Sequence, residues 1–488
     1  LRRIYLDLAG VIPSYEQARA FLEDTSPDKR AKLIEELLKS PRYALHQADV
    51  WDRVLVGRDP PESRVRERDS FVKFLREAFE KNTRYDAFVA KLLRAEGNTV
   101  DEGAPVYLVQ FGRRPEDAIE SVTQMFLGVQ LQCARCHDHP YEPWKQVDFY
   151  GMAAFLTRLE LVTMGKEGNQ TKLALGEKST GEMNFTEGTQ QTPGKKGTPV
   201  SPRFLAGAEL NEPELPKDFK EVKFEGNKPI PEPKFSRKNK LADWVVSKEN
   251  PYFAKAAVNR IWAQYMGGGI VHPVDNMSTR NKPSHPELLD AMAQAFAAHD
   301  FDIKWLIREI VSSQAYQLAA TGEVTEALPE WFERARVRPL SAEELVESWQ
   351  VATDYRGVLE KSGKIKELEK NRFYGITYEY GERFFGEPVT GEGDFQGGLA
   401  EHLYLNNGQI FTFITDSKGG LVDAMRNSDD KPEAKVDRLF LSILSRKPSD
   451  EERAKFVEYL AGDEGNSTTH LREAIWALLT CSEFRFNH

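Results

Sequence analysis

Cysteine is scarce in this chain: it has 3 in 488 residues, and one of them, Cys481, stands far from the other two. So few thiols exclude the disulfide framework that staples small secreted domains. No run of about eighteen apolar residues occurs, which excludes a membrane-spanning helix. Basic residues are not in surplus either. The 66 Lys and Arg face 76 Asp and Glu, a formal net charge of −10, and a general nucleic-acid binder would show the opposite balance. A repeat of fixed period is also lacking, so a solenoid is not expected. The chain opens at Leu1 with neither initiator Met nor leader, and is read as a trimmed or mature form whose missing targeting segment is uninformative. What remains is ordinary globular composition, 40% hydrophobic and 29% charged, in a chain long enough for two or three cores.

The informative stretch is Leu131-Gln-Cys133-Ala-Arg-Cys136-His137-Asp138-His139-Pro140. Cys-x-x-Cys-His is the attachment pattern of c-type haem. Two thiols at i and i+3 add to the two vinyl groups, and the following histidine is carried beneath the macrocycle as proximal ligand of the iron. A structural zinc is the rival, because Cys133, Cys136, His137 and His139 are all ligand types. Adjacent Cys136 and His137 rarely reach one tetrahedral ion together, and zinc sites normally draw their second pair from further along the chain. A pair of buried thiols beside an unrelated histidine is the plain reading. Haem c is the expected cofactor, and its assembly outside the bacterial cytoplasm sets the expected compartment.

The fold class expected is mainly α. Helical spacing recurs over 28–38, 71–81, 85–94, 116–129, 147–159 and 251–265, and again near 435–444, 451–460 and 471–479. Serine-led capping boxes begin at Ser14, Ser284, Ser341 and Ser449, with Ser26 and Pro27 as a further N-cap and first-turn pair. Gly267 is a helix stop. Residues 165–235 differ, being rich in Gly, Lys, Thr and Pro. They read as a long irregular connection with a few short strands, such as one over 220–224. An aromatic, glycine-rich stretch at 372–398 reads as irregular or hairpin-like.

Several of these stretches resemble a known pair of domains. RRIYLDLAGVIPS, SPDKRAKLIEELLKSPRY and CARCHDHPYEPWKQVDFYGMAAF are similar to the planctomycete cytochrome C-like domain, the second of that name. NPYFAKAAVNRIW, SHPELLDAMAQAF, WLIREIVSSQAY, RPLSAEELVES and SEFRFNH resemble the planctomycete-type C-terminal domain that usually follows it. The resemblance implies a haem-bearing domain at 1–164, an irregular insertion at 165–238 and a helical domain at 239–488. It also implies a periplasmic or otherwise extracytoplasmic protein, encoded beside sulfatase-like partners in polysaccharide-degrading contexts. After Pro41-Arg42-Tyr43 the sequence departs from the family pattern, which puts any role of His46 in doubt.

With Cys133, Cys136 and His137 holding haem, function turns on the sixth iron position. Met125, Met152, His46, His272, His285 and His402 are the candidates, and His285 comes first because the family motif keeps a histidine there. Beside the iron held by His137, His139 and Asp138 are candidates for a second metal, or His139 for a haem propionate. Arg113 and Arg114 are propionate candidates. Asn259 and Arg260 are candidates for haem propionates or for a substrate carboxylate or sulfate, each with an internal structural role as the alternative. The rings at 373–385 line a carbohydrate cleft or a core. An oxidoreductase acting on a carbohydrate-derived or sulfated polysaccharide fragment is the first functional expectation. The alternatives are an electron-transfer module serving a redox partner protein and a non-haem metallohydrolase. Neither nucleic acid nor a membrane span is expected.

Overall fold

The computed structural model describes the chain apart from residues 59, 66–67, 169, 187–196, 206, 227, 229, 321–327, 364–402, 406–414, 416–417 and 463–466. The fold is mainly α, as the periodicity predicts. The stretch 372–398, the rings at 373–385 and His402 lie outside the described residues. No helix among the described residues is long and apolar enough to cross a membrane.

The chain divides into two compact units that do not follow the sequence domains. One is Leu1–His46 with Val311–His488, and the other is Gln47–Ile310. The first unit is built from both ends of the chain. Its core joins Leu6 and Ile12 to Trp349, Phe440, Ile475 and Phe484. The Arg2 guanidinium donates to the carbonyls of Ile443 at 3.1 Å and Phe484 at 2.7 Å, closing the ends together. Arg338–Pro339 pairs antiparallel with Phe486–Asn487. The boxes at Ser14, Ser341 and Ser449 form as the sequence predicts, each hydroxyl accepting from the third helical N–H.

The second unit carries the Cys-x-x-Cys-His stretch. Its helices include Asp69–Glu80, Tyr85–Arg94, Pro115–Leu127, Arg237–Val245, Phe253–Met266 and Pro286–Ala298. A three-stranded antiparallel sheet places Gln170–Glu177 between Gly97–Asn98 and Leu159–Glu167. Met183–Phe185 pairs with Thr198–Val200. Glu212 fastens the irregular segment that follows, because Arg237 grips it at 2.7 and 2.8 Å and Arg158 also pairs with it. The Phe204 ring packs on Phe155 and Trp244.

Four local expectations are corrected. The helix expected over 147–159 ends at Ala153, and the chain enters a strand at Leu159. The expected strand over 220–224 is not formed; the β pairing lies at 159–200 instead, where alternating apolar residues find partners. Ser284 does not cap its helix. Pro286 takes the first helical turn and His285 the N-cap, while the Ser284 hydroxyl and N–H both donate to the Ile270 carbonyl. Ser26 likewise cedes the N-cap to Asp28, its own N–H and hydroxyl being held by Asp24.

Candidate functional site around Cys133, Cys136 and His137

The helix Pro115–Leu127 delivers the chain to the motif. It starts on Pro115, with Glu116 and Asp117 in the first turn where the helix dipole favours them. It stops at Gly128, whose φ of 66° is left-handed. A β-carbon there would also crowd the Met277 side chain at 3.0 Å, which would have to give way by a few tenths of an ångström. The buried Leu131 and Ala134 then anchor a 3-10 turn, Gln132–Arg135, with Cys136 as its C-cap. Side chains three apart eclipse in such a turn, so both thiols project from one face. Cys133 is exposed, Cys136 is half-buried, and neither is in a disulfide.

Arg135, between the cysteines, is the girder of this turn. Its guanidinium reaches Asp117 at 2.9 Å and Glu120 at 3.4 Å, one turn apart on the delivering helix. Its carbonyl accepts from the Tyr150 hydroxyl at 3.0 Å. Burial pulls Arg135 toward its neutral form, but the Asp117 hydrogen bond and the two carboxylates outweigh it and hold its pKa above the usual value. Burial raises the Glu120 carboxyl. The sequence marks Asp117 and Glu120 only as ordinary helix acids, and nothing in it pairs them with Arg135.

The two histidines that follow are held in opposite ways. The His137 Nδ1 lies 2.8 Å from the Asp138 carbonyl oxygen, which can only accept. Nδ1 therefore carries the proton, and the Nε2 lone pair of an exposed ring is left for a metal. The His139 Nδ1 instead accepts from the backbone N–H groups of Tyr141 at 3.2 Å and Glu142 at 3.0 Å. Its neutral ring then carries the proton on Nε2 and has no lone pair left for an ion. The Asp138 carboxylate accepts from the Gln146 N–H at 2.9 Å, which fixes the next helix. Among the described residues no group of three His, Cys, Asp or Glu side chains is arranged to hold a metal ion. His137, Asp138 and His139 are thus adjacent in sequence but not convergent.

A strap from the later part of the chain braces this loop. The Met277 N–H donates to the Gly128 carbonyl at 2.8 Å. Glu142 accepts from the Thr279 N–H at 2.8 Å and its hydroxyl at 2.7 Å. The Arg280 guanidinium lies 3.3 Å over the Tyr141 ring. These partners are over a hundred residues apart, and the sequence carries no signal for them.

The other expected site residues are dispersed. Arg114 binds Asp117 at 2.9 Å, so it joins the Arg135 network, whereas Arg113 pairs with Glu160. His285 occupies the N-cap position of its helix without a side-chain capping bond, and its Nδ1 lies 3.0 Å from the Ser284 hydroxyl. Met152 is fully buried in the core and Met125 partly so. His46 is buried in the first unit, 3.8 Å from Glu344. The Asn259 amide is committed to backbone. It donates to the Val271 and Val274 carbonyls at 2.8 and 2.9 Å and accepts from the Val271 N–H at 2.8 Å. It therefore shapes the loop after its helix, and Gly269 is required there because a β-carbon would strike the Val271 carbonyl. Arg260 is buried among Tyr85, Tyr107 and Asp275.

Residues 1–160 match the family model PSCyt2, described as a protein of unknown function (DUF1549), and residues 237–370 match PSD1, described as a protein of unknown function (DUF1553). No curated protein and no solved structure matches the chain. The two matched stretches meet at the motif, since the strap at 277–280 belongs to the second and grips the loop of the first. Over these stretches the chain belongs to the planctomycete cytochrome C-like family PSCyt2 and the planctomycete C-terminal domain family PSD1.

Proposed function

We propose that the chain is an extracytoplasmic c-type haem protein, with Cys133 and Cys136 as thioether anchors and His137 Nε2 as proximal ligand. The observation that carries this is the His137 ring. It is exposed, directly follows two thiols on one face, and has Nδ1 tied to a carbonyl so that Nε2 is the free donor. Such a hydrogen bond is the usual companion of an iron-ligating imidazole, because it fixes the ring and raises its basicity. Haem bound here supplies one-electron chemistry at iron. The chain's own residues do the rest: the Asp138 carbonyl orients His137, and the Arg135 network keeps the thiol turn rigid. Arg114, joined to that network through Asp117, is the arginine best placed for a propionate.

Oxidoreduction of a carbohydrate-derived substrate is the activity proposed, and its support is the size of the chain and the family context. A second reading is favoured by one observation. Cys133 and His137 are exposed, so a macrocycle held there meets solvent and any docking redox protein. The metallohydrolase reading has less support, because the His139 lone pair is already used.

The test is an absorption spectrum, oxidised and reduced, with a pyridine haemochrome assay, on protein matured by a periplasmic c-type pathway. One thioether-type haem per chain is expected, and its covalent retention is lost in the Cys133→Ala, Cys136→Ala double variant. Absence of haem despite competent maturation overturns the proposal. High-spin iron that binds carbon monoxide selects the oxidoreductase, and low-spin iron that ignores it selects the electron carrier.

A further inference from the structure

The arginines tied to the thiol loop are mostly spent on carboxylates of the chain itself. Arg114 and Arg135 each bind Asp117 at 2.9 Å, and Arg113 pairs with Glu160. Arg280, on the strap, is the exception. Among the described residues no carboxylate, carbonyl or hydroxyl pairs with its guanidinium. It is exposed, and its one such contact is the Tyr141 ring, whose centroid lies 3.3 Å from the guanidinium carbon.

At that distance no N–H has room to point into the ring, so the guanidinium lies flat on it. Stacking then covers one face of the guanidinium and leaves its edge, where the N–H donors lie, unused. The strap fixes the pair from either side. Thr279, beside Arg280, donates its N–H at 2.8 Å and its hydroxyl at 2.7 Å to Glu142, beside Tyr141. Asn281, the next residue, turns its side-chain amide onto the Asn276 carbonyl at 2.9 Å. The Tyr141 N–H is held by His139 at 3.2 Å. A surface arginine ordinarily loses rotamer entropy when it takes a ligand, and here the backbone on both sides is fixed beforehand. The Glu142 carboxylate is committed to Thr279 and forms no ion pair with Arg280. Tyr141 remains 58% exposed beneath the guanidinium, so the rest of its ring is open.

We propose that Arg280, laid flat on Tyr141, is a carboxylate-binding site on the thiol loop. The free guanidinium edge presents parallel N–H groups that match the two oxygens of a carboxylate. The charge of Glu142, adjacent in the loop, favours a singly charged group over a phosphate dianion. The open part of the Tyr141 ring takes the flat or apolar body that carries the carboxylate. Such a group has two sources: a propionate of haem held by Cys133 and Cys136, or an acid arriving from solution. Only the first source rests on the haem reading.

The site itself is tested without haem, so its failure is distinct from failure of the functional reading. The full chain, made without c-type maturation, is titrated with benzoate in place of chloride at constant pH and ionic strength, and thermal unfolding is followed. A ligand that binds only the folded state raises Tm with its concentration. A rise of about 2 °C near saturation is expected for the wild type, and none with benzamide, which lacks the charge. Arg280→Gln should lose the rise. Arg280→Lys keeps the charge but not the fork, so its loss of the rise separates a built site from general attraction. Arg280 is exposed and contacts only the Tyr141 ring, so both variants fold. A rise that is absent from the wild type, or equal in wild type and variants, overturns the site. The same titration of haem-loaded chain then names the occupant. A response lost on haem loading assigns the carboxylate to a haem propionate, and Arg280→Gln should then shift the reduction potential. A response that persists assigns it to an external acid.

Discussion

The two histidines of the motif, His137 and His139, are the same side chain made into opposite tools by their hydrogen bonds. One donates from Nδ1 to a carbonyl and the other accepts at Nδ1 from two N–H groups. His137→Ala is therefore expected to leave haem tethered by the thioethers while changing its spin state. His139→Ala should cost about 1–2 kcal/mol of stability by orphaning two turn donors, with an unaltered Soret band. A spectrum that shifts equally in both variants would sink the assignment. A second residue-scale case lies in the first unit. Arg338 binds both Glu344 oxygens at 2.8 Å and Asp7 at 2.9 Å. One guanidinium faces two buried carboxylates, and they divide accordingly. Although burial alone would raise it, Glu344 is pulled down by Arg338 from 4.5 to about 2, whereas burial pushes Asp7 up despite Arg338 and the Tyr316 hydroxyl. A depressed carboxyl stabilises the fold fully above its unfolded pKa of 4.5 and loses that contribution as pH falls toward about 2. Asp7 contributes with the opposite sign, so the difference between wild type and Glu344→Gln is the clean readout. That difference should be about 3 kcal/mol at pH 7 and shrink through the acid window, measured by urea unfolding. A difference independent of pH refutes the ionic account.

At the scale of elements, the delivering helix and its stop set the motif. Gly128→Ala places a β-carbon at positive φ and against Met277. The expected cost is about 1 kcal/mol or more, and haem incorporation should fall with it, because Gly128 sets how the chain leaves the helix toward the turn bearing Cys133. Unfolding midpoints and haem per chain are the measurements, and a neutral variant would show that the stop is not needed. Ser449→Ala removes a formed capping box and should cost about 1 kcal/mol without touching haem loading. The boxes at Ser14, Ser341 and Ser449 are legible in sequence because they are local: donor and acceptor lie three residues apart. Ser284 has the same spelling and fails, because the Ile270 carbonyl, fourteen residues away, takes its hydroxyl. A motif read along the chain has no view of such a competitor.

For the whole molecule, the division into two units makes a prediction of its own. The first unit is closed by the terminal segments, with Leu6 fully buried in the core shared with Phe440 and Phe484. Leu6→Ala should cost about 2–5 kcal/mol in that unit alone. Calorimetry should then show one transition displaced and the other, of the unit that carries the Cys-x-x-Cys-His stretch, unmoved. A single transition that shifts as a whole would show the units to be one cooperative body. No boundary drawn at 164 or 238 anticipates a unit made of both chain ends, since that follows from long-range burial.

The sequence by itself determined the helices, most of their caps, the family and the pentad Cys133 to His137, all of which rest on periodicity and short spacing. It also placed Arg260 and Asn259 side by side as one candidate pair. Tertiary structure alone decided that Asn259 turns to the backbone while Arg260 is buried. It likewise decided that His137 and His139 take opposite tautomers, and that a strap at 277–280 grips the thiol loop. The physical reason is the same in each case. A side chain's chemistry is set by which donors and acceptors surround it, and those come from residues that only folding brings near.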